Sequence, residues 1–435
     1  MEKRYDVPFW QLLVIGLNSS TDTSPLHGGS HIWGNFKINE KVDFEKFKKA
    51  INHFIEKNDS IRTKFCYENG TIKQYFAKYE PFDFTIIDVK DDEEVDKILK
   101  EMNSKFFEMV ESYMFDIKLY RYPNGNGGVL LKVHHVIADG WSIGLAAYEV
   151  INEYIGKFVV PITGSFGDYL ESRDNYEKSF RKPIDKKYWE ELLKDGVPAA
   201  VTFPASKKYD KSMVYWDADK YSYSIDLKTI KKIEKYCEKN KISKSSFYSA
   251  VLAILLRKVS GSRKFMMNTM CSNRKNIKER FTTGMFTSMT YYLAEVPNIE
   301  FKQLVKNVGN SISAGFKHRE YFDRYMSDVI KKVDPNRIGP LTSVIFSYQN
   351  LNLKTDKKDL DYEIKGDNNP STASLDIAIH VLELESSNQV NLIYDYLTDK
   401  YDENDMKKIN SQMLEIINQV VTKDEIFVDD INIER

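Results

Sequence analysis

Short apolar runs of strand character alternate with stretches of helical apolar spacing along both halves of this chain, and that alternation limits it to an α/β architecture. In the first half, Phe44, Phe47, Ile51, Phe54 and Ile55 mark a helix that stops near Asn58. Val95, Ile98, Leu99, Met102 and Phe106 mark another, and Val129 to Val133 reads as a strand. In the second half, strands are predicted at Tyr221 to Ile225, Phe265 to Cys271, Met285 to Val296, Thr342 to Tyr348, Asp376 to Leu384 and Val390 to Leu397. Helices are predicted around Lys228 to Glu238, Ser245 to Lys258, Phe301 to His318 and Glu403 to Val421. A chain of 435 residues exceeds the usual span of one hydrophobic core, so two lobes are expected. The polar segment Glu177 to Gly196, anchored by Tyr188 and Trp189, is the natural crossing between them. We therefore expect an N-terminal lobe over residues 1–176 and a C-terminal lobe over 177–435. Asn352 to Ser374 reads as an irregular loop, a crossover or a disordered insertion.

The chemistry concentrates in Val133 to Ser142, Val-His-His-Val-Ile-Ala-Asp-Gly-Trp-Ser. A strand-like run precedes it, and Ile143, Ala146, Val150, Ile151 and Tyr154 follow at helical spacing, so it sits on a strand–turn–helix corner. Successive strand residues point to opposite faces, so His134 and His135 cannot share a cavity unless the strand has ended. Imidazole suits proton shuttling near neutral pH. Asp139 can fix a tautomer, pair with a buried arginine or cap the helix, and Gly140 permits a tight turn. A lone His-x-x-x-Asp would carry little weight, because single histidines usually pack and Asp-Gly before a helix is usually a turn. The doubled histidine in this setting is far less common by chance. His318 and His380 are isolated, and packing roles are favoured for both.

Composition removes several classes. A net charge of −1 implies no general attraction to nucleic acid or anionic membrane. The three cysteines, Cys66, Cys237 and Cys271, are odd in number and form no Cys-x-x-Cys pair, which argues for reduced thiols in a cytosol. The charged N-terminus is unlike a signal peptide, and no apolar stretch reaches membrane-spanning length, so a cytoplasmic location is expected. No nucleotide-binding glycine loop or metal-ligand cluster is visible.

The corner resembles the signature motif of condensation domains of nonribosomal peptide synthetases, within the chloramphenicol-acetyltransferase-like superfamily. Asn58 to Phe65 resembles the family's early motif, Arg-His-Glu-x-Leu-Arg-Thr-x-Phe, with Arg62 at the arginine and Asn58-Asp59 replacing His-Glu. Gly167-Asp-Tyr169, Lys187 to Glu190, Asn273-Arg274 with Gly284 to Ser288, and Pro340-Leu341 with Phe346 to Asn350 resemble later motifs. The resemblance runs from about residue 10 to 430. Pro8 to Leu12 follows the first motif only loosely, and Tyr321 to Tyr325 lacks the expected His/Asn-Gln-Asp-Tyr-Pro pattern. A heterocyclisation domain would carry Asp in place of the histidines, and plant-type acyltransferases need a late Asp-Phe-Gly-Trp-Gly that is absent. Leu26-His-Gly-Gly-Ser30 superficially resembles a carrier-protein attachment site, but its spacing is wrong and it reads as a loop.

The resemblance implies two chloramphenicol-acetyltransferase-like lobes arranged as a V-shaped pseudo-dimer with a central tunnel. It implies amide formation between an acyl thioester donor and a carrier-bound aminoacyl acceptor. Asn58-Asp59, Asn273-Arg274 and Gly284-Met-Phe286 look most like the starter subtype, which uses a fatty acyl donor. Beginning at Met1 fits a first domain, and Val428 to Asn432 resembles an exit into an adenylation domain. The implied catalytic set is His135 with His134, Asp139 and Gly140, where His135 orients the amine and manages its proton rather than acting as a covalent nucleophile. His134 is expected to pack behind it, and Asp139 to pair with Arg274. Arg274 and Arg62 are implied as structural support. Trp141, Ser142, Gly284, Met285, Phe286, Ser347 and Gln349 are implied as substrate-binding residues. No metal or bound cofactor is implied, since substrates arrive on the phosphopantetheine of carrier proteins or as acyl-CoA. The implied partners are peptidyl or acyl carrier proteins at donor and acceptor mouths and an adjoining adenylation domain, with no nucleic acid or membrane and a monomeric state. An elongation-type domain with a peptidyl or aminoacyl donor, a free-standing acyl-CoA N-acyltransferase and an inactive carrier-docking domain are the alternatives.

Overall fold

The structure, a computed structural model, describes residues 2–16, 24–161, 164–209, 217–337, 340–350, 360–368, 376–384, 389–423 and 425–434. In chain order the elements begin with β1 (Tyr5–Asp6), α1 (Phe9–Val14), β2 (His31–Ile38) and α2 (Phe44–Lys57). A 3-10 turn (Asp59–Arg62) leads to β3 (Thr63–Glu68), β4 (Thr71–Phe76), β5 (Ile86–Asp88) and α3 (Asp92–Ser104). Then come β6 (Phe115–Arg121), β7 (Gly127–His134), α4 (Gly140–Tyr154), α5 (Phe166–Tyr176) and α6 (Arg181–Leu192). The second half carries β8 (Ala218–Ser224), α7 (Leu227–Asn240), α8 (Lys244–Ser260), β9 (Lys264–Cys271), α9 (Ile277–Arg280) and β10 (Ser288–Glu295). It continues with α10 (Phe301–Lys317), α11 (Arg319–Val333), β11 (Val344–Asn350), β12 (Tyr362–Asn368), β13 (Ile377–Leu384), β14 (Gln389–Leu397) and α12 (Glu403–Thr422).

Two compact units result. The first comprises 1–178, 272–287 and 353–369; the second comprises 179–271, 288–352 and 370–435. The expected continuous lobe over 177–435 is therefore interrupted twice. One return, 272–287, brings Arg274 to Asp139. The other brings β12, inside the segment read as irregular, onto the edge of the first unit's sheet, where it pairs antiparallel with β2. The rest of 352–374 lies outside the described residues, apart from Leu360 and Asp361.

The first unit is built on a five-stranded sheet of order β12-β2-β7-β6-β5, with a second sheet β1-β4-β3. Helix α2 forms because its apolar residues recur at three- and four-residue spacing behind an Asp43 cap, whose side chain accepts the Lys46 N–H. Phe44, Phe47, Ile51, Phe54 and Ile55 are all buried, each such side chain contributing roughly 1.5–3 kcal/mol. Asn58 follows as the C-cap, where the sequence stops the helix. Helix α3 ends at Ser104, so Phe106 lies beyond it and is exposed.

The second unit holds a four-stranded sheet, β11-β13-β14-β8, and the antiparallel pair β10-β9. Helix α8 buries every residue from Phe247 to Leu256, as a helix apolar on all sides must. The polar segment read as a crossing contains α6, whose Pro183 is tolerated because it lies in the first turn. Cys66, Cys237 and Cys271 are buried thiols, none of them in a disulfide. No helix of the described residues is long and apolar enough to cross a membrane.

Candidate active site

Strand β7 ends at His134, and the ladder geometry ends with it. Val136, Ile137 and Ala138 form a turn whose side chains are wholly buried, which roots the corner in the core of the first unit. The Val136 carbonyl accepts an N–H of Gln11 at 2.7 Å. Gln11 and Gln74 also exchange amide hydrogen bonds of 2.8 and 3.2 Å. Of this buried glutamine pair under the corner, Gln11 comes from the loosely matched Pro8 to Leu12 segment and Gln74 from β4.

The two histidines differ sharply. His134 is fully buried; its Nδ1 accepts the Val136 N–H at 3.2 Å, so its Nε2 carries the proton and donates to the His27 carbonyl at 3.1 Å. Burial pushes it down to about 3, so it is neutral at pH 7. His135 keeps partial exposure, and neither ring nitrogen bonds another described residue. Desolvation lowers its pKa as well, against the Asp139 charge and a contact with its own backbone. At neutral pH it is thus a neutral imidazole with proton-accepting capacity.

Asp139 caps α4 and is the most heavily bonded group of the site. Its Oδ1 accepts from the Ser142 N–H, the Ser142 hydroxyl and Arg274 Nη2 at 2.9, 2.7 and 3.0 Å. Its Oδ2 accepts from Arg274 Nη1, the Phe286 N–H and the Thr287 hydroxyl at 2.7, 3.2 and 3.1 Å. Burial alone would raise its pKa, but the Arg274 charge and the bonds from Arg274 and Ser142 win and hold it below the usual carboxylate range. The guanidinium of Arg274 also lies 4.3 Å from the centroid of the Phe286 ring.

The loop that carries Arg274 is rigid for identifiable reasons. Asn273 adopts φ 50° and donates its side-chain N–H to the Phe286 carbonyl at 2.7 Å. Gly284 has φ 149°, and a Cβ there would stand 2.2 Å from the Phe166 ring. Phe286 packs against Phe166 and Tyr169, with ring centroids 5.4 and 4.3 Å apart. The early segment closes the same framework. Asp59 accepts the Phe166 and Gly167 N–H groups at the start of α5, at 2.9 and 3.0 Å. Thr283 donates to Asn58 and shares a hydrogen bond with Ser60, at 2.9 and 2.7 Å.

Several expected roles change in this light. Ser142 is enclosed: its hydroxyl faces Asp139 and the Gly284 carbonyl and accepts from the Gly284 N–H and Arg274, leaving no capacity for a substrate. Gly284 and Phe286 likewise belong to the framework, since the Phe286 ring is covered by Arg274, Phe166 and Tyr169. Met285 is buried in the same loop. Arg62 supports α2 rather than the corner, donating to the carbonyls of Ile55, Glu56 and Ala77. Trp141 is 39% exposed, and its indole N–H is taken by the Arg280 carbonyl. Gly140 is exposed as the first residue of α4. Ser347 and Gln349 lie on β11 of the second unit, joined to each other at 3.1 Å. His318 pairs with Asp185, and His380 with Asp395. Among the described residues no group of His, Cys, Asp and Glu could hold a metal ion.

A mixed α/β fold with a buried Asp–Arg pair beneath a partly exposed histidine is the arrangement that the resemblance to condensation domains implies. Comparison with known families agrees: the Condensation domain model matches residues 24–434, and the chain belongs to that family. Surfactin synthase subunit 1 of Bacillus subtilis (strain 168) is 24% identical over 406 residues, covering 91% of this chain. The chain spans only 11% of that relative's length. Among solved structures, the condensation domain of monacolin K polyketide synthase matches with a TM-score of 0.81 at 13% identity, covering 98% of this chain and 99% of that one. The starter condensation domain of rhizomide synthetase, a mutant in complex with C8-CoA and Leu-SNAC, matches with a TM-score of 0.79 at 15% identity, covering 99% and 98%. These likenesses extend the agreement to the whole fold.

Proposed function

We propose that this condensation domain is of the starter type, joining a fatty acyl thioester to the amino group of a carrier-bound aminoacyl acceptor. The observation that carries the chemical step is His135: a neutral imidazole, unpartnered by other described residues, on a corner held by the Asp139–Arg274 pair. The amine attacks the thioester carbonyl, the C–N bond forms, and His135 takes the ammonium proton. Collapse then breaks the C–S bond, and that proton goes to the departing thiolate. A free α-amine has a pKa near ~7.8, so exposing its lone pair at pH 7 costs only about 1 kcal/mol. Holding donor and acceptor in reacting geometry is worth more, up to roughly 7–11 kcal/mol in ideal cases. His135 therefore serves orientation and proton management together.

The starter assignment is supported by Asn58-Asp59, Asn273-Arg274 and Gly284 to Phe286, and by the likeness to a starter domain solved with an eight-carbon acyl-CoA and a leucyl thioester mimic. Carrier proteins bearing phosphopantetheine are the proposed partners, with acyl-CoA as an alternative donor. The test offers acyl groups of two to sixteen carbons, on CoA and on a carrier protein, against a panel of carrier-bound amino acids, with products read by mass spectrometry. Each buried methylene is expected to favour the donor by about 0.8 kcal/mol until the acyl site ends. Efficient use of aminoacyl or peptidyl donors, with refusal of fatty acyl donors at every length, would identify an elongation domain instead.

A further inference from the structure

The segment Leu26 to Ser30 has no regular secondary structure, yet its backbone is used almost completely. The His27 carbonyl accepts Nε2–H of His134 at 3.1 Å, and the Ser30 carbonyl accepts the backbone N–H of His135 at 2.8 Å. Between them, the Gly28 carbonyl accepts the Phe107 N–H at 3.0 Å and the Gly29 carbonyl meets Nδ1 of His31 at 2.9 Å. The far end is tied down by the His27 N–H on the Ile15 carbonyl at 2.9 Å. Four successive carbonyls thus face four donors, and two of those donors belong to the adjacent histidines of the corner.

We infer that Leu26 to Ser30 is a positioning clamp for the reacting histidine, and that Gly28 is the residue that lets it close. A Cβ at Gly28 would lie 2.1 Å from the Phe107 carbonyl oxygen and 2.9 Å from the Phe107 nitrogen. Both are backbone atoms that cannot swing aside, so any side chain forces the strap away from the strand end. At Gly29 the same construction meets only the tips of His27 and Phe106, at 2.8 and 3.0 Å. Displacing the strap withdraws the His27 carbonyl from His134 and the Ser30 carbonyl from His135. The first loss frees the ring that fixes the turn through the Val136 N–H; the second frees the backbone of His135 itself. A shift of about 1 Å at a reacting group can cost on the order of 100-fold in rate.

The clamp rests on the reading of His135 as the reacting group, and the experiment separates the two. Gly28→Ala, Gly29→Ala and His135→Ala are compared for kcat, for KM toward the carrier-bound acceptor, and by 15N NMR of histidine-labelled protein. Gly28→Ala is expected to lower kcat at least tenfold with KM within twofold of wild type. The 15N signal of His134 Nε2 should shift as its hydrogen bond to the His27 carbonyl is lost. Gly29→Ala should fall between it and wild type. Should Gly28→Ala fail to fold, His134→Gln and His134→Leu read the same link: Gln keeps an N–H donor for the His27 carbonyl and should retain at least tenfold more activity than Leu. Wild-type kcat and an unchanged His134 signature in Gly28→Ala, or equal activity of the Gln and Leu variants, would overturn the clamp. Full activity of His135→Ala would instead remove His135 from the chemistry, while the His134 signature in Gly28→Ala still decides the clamp.

Discussion

Arg274 grips Asp139 through two parallel hydrogen bonds of 2.7 and 3.0 Å, with side chains only 2% and 1% exposed, although 135 residues separate them in the chain. A buried pair of this kind stabilises little relative to apolar residues, but breaking it strands a charge in the interior. Asp139→Ala and Arg274→Ala should each cost roughly 3–5 kcal/mol, measured by urea unfolding. The double variant should lose clearly less than the sum. Strict additivity would show that the two side chains are not coupled.

His135→Ala should leave the unfolding midpoint near that of wild type, because neither ring nitrogen bonds another described residue. Single-turnover condensation should fall by roughly 100-fold or more, the usual scale of a positioned acid–base group. Undiminished turnover would exclude His135 from the reaction.

Gly284→Ala tests the loop that carries Arg274. The φ of 149° is unfavourable for any side chain, and the new methyl group would collide with the Phe166 ring. Strain and overpacking together should cost at least about 2 kcal/mol. Phe166→Leu in the same chain should recover part of that loss by making room, which a thermal melt of the two variants would read.

Acid should act through His134. Its folded pKa is about 3, below the ~6.5 of a free imidazole, so the unfolded chain binds the proton first. The stability it contributes is full above pH ~6.5 and is lost as the pH falls toward 3. Between pH 7 and 5 this amounts to about 2 kcal/mol. His31, lowered to about 4 by burial and the nearby Lys132 charge, adds a contribution of the same sign. His134→Gln should flatten the dependence of urea stability on pH over that range. An identical slope in the variant would contradict the buried, neutral state of His134.

Local pattern determined much of this molecule. The alternation of strands and helices, the stop of α2 at Asn58 and the strand–turn–helix corner follow from side-chain periodicity and capping, which act within a few residues and so can be read along the chain. The resemblance, carried by short motifs, added the Asp139–Arg274 pair and pointed to His135 as the candidate reacting group. The tertiary structure alone decided the rest. β10 was expected from Met285 but begins at Ser288, because Gly284 to Thr287 are held by Asp139 and Ser142. β12 lay hidden in a polar stretch, since an edge strand needs only a neighbour's unpaired backbone and no apolar alternation. Asp59 was visible as a departure from the family motif, but its partners are the N–H groups of α5, more than a hundred residues away. The carbonyls of His27 and Ser30 reach His134 and His135 in the same manner. Every residue carries a carbonyl, so nothing in a sequence marks the ones that folding brings within reach of a histidine.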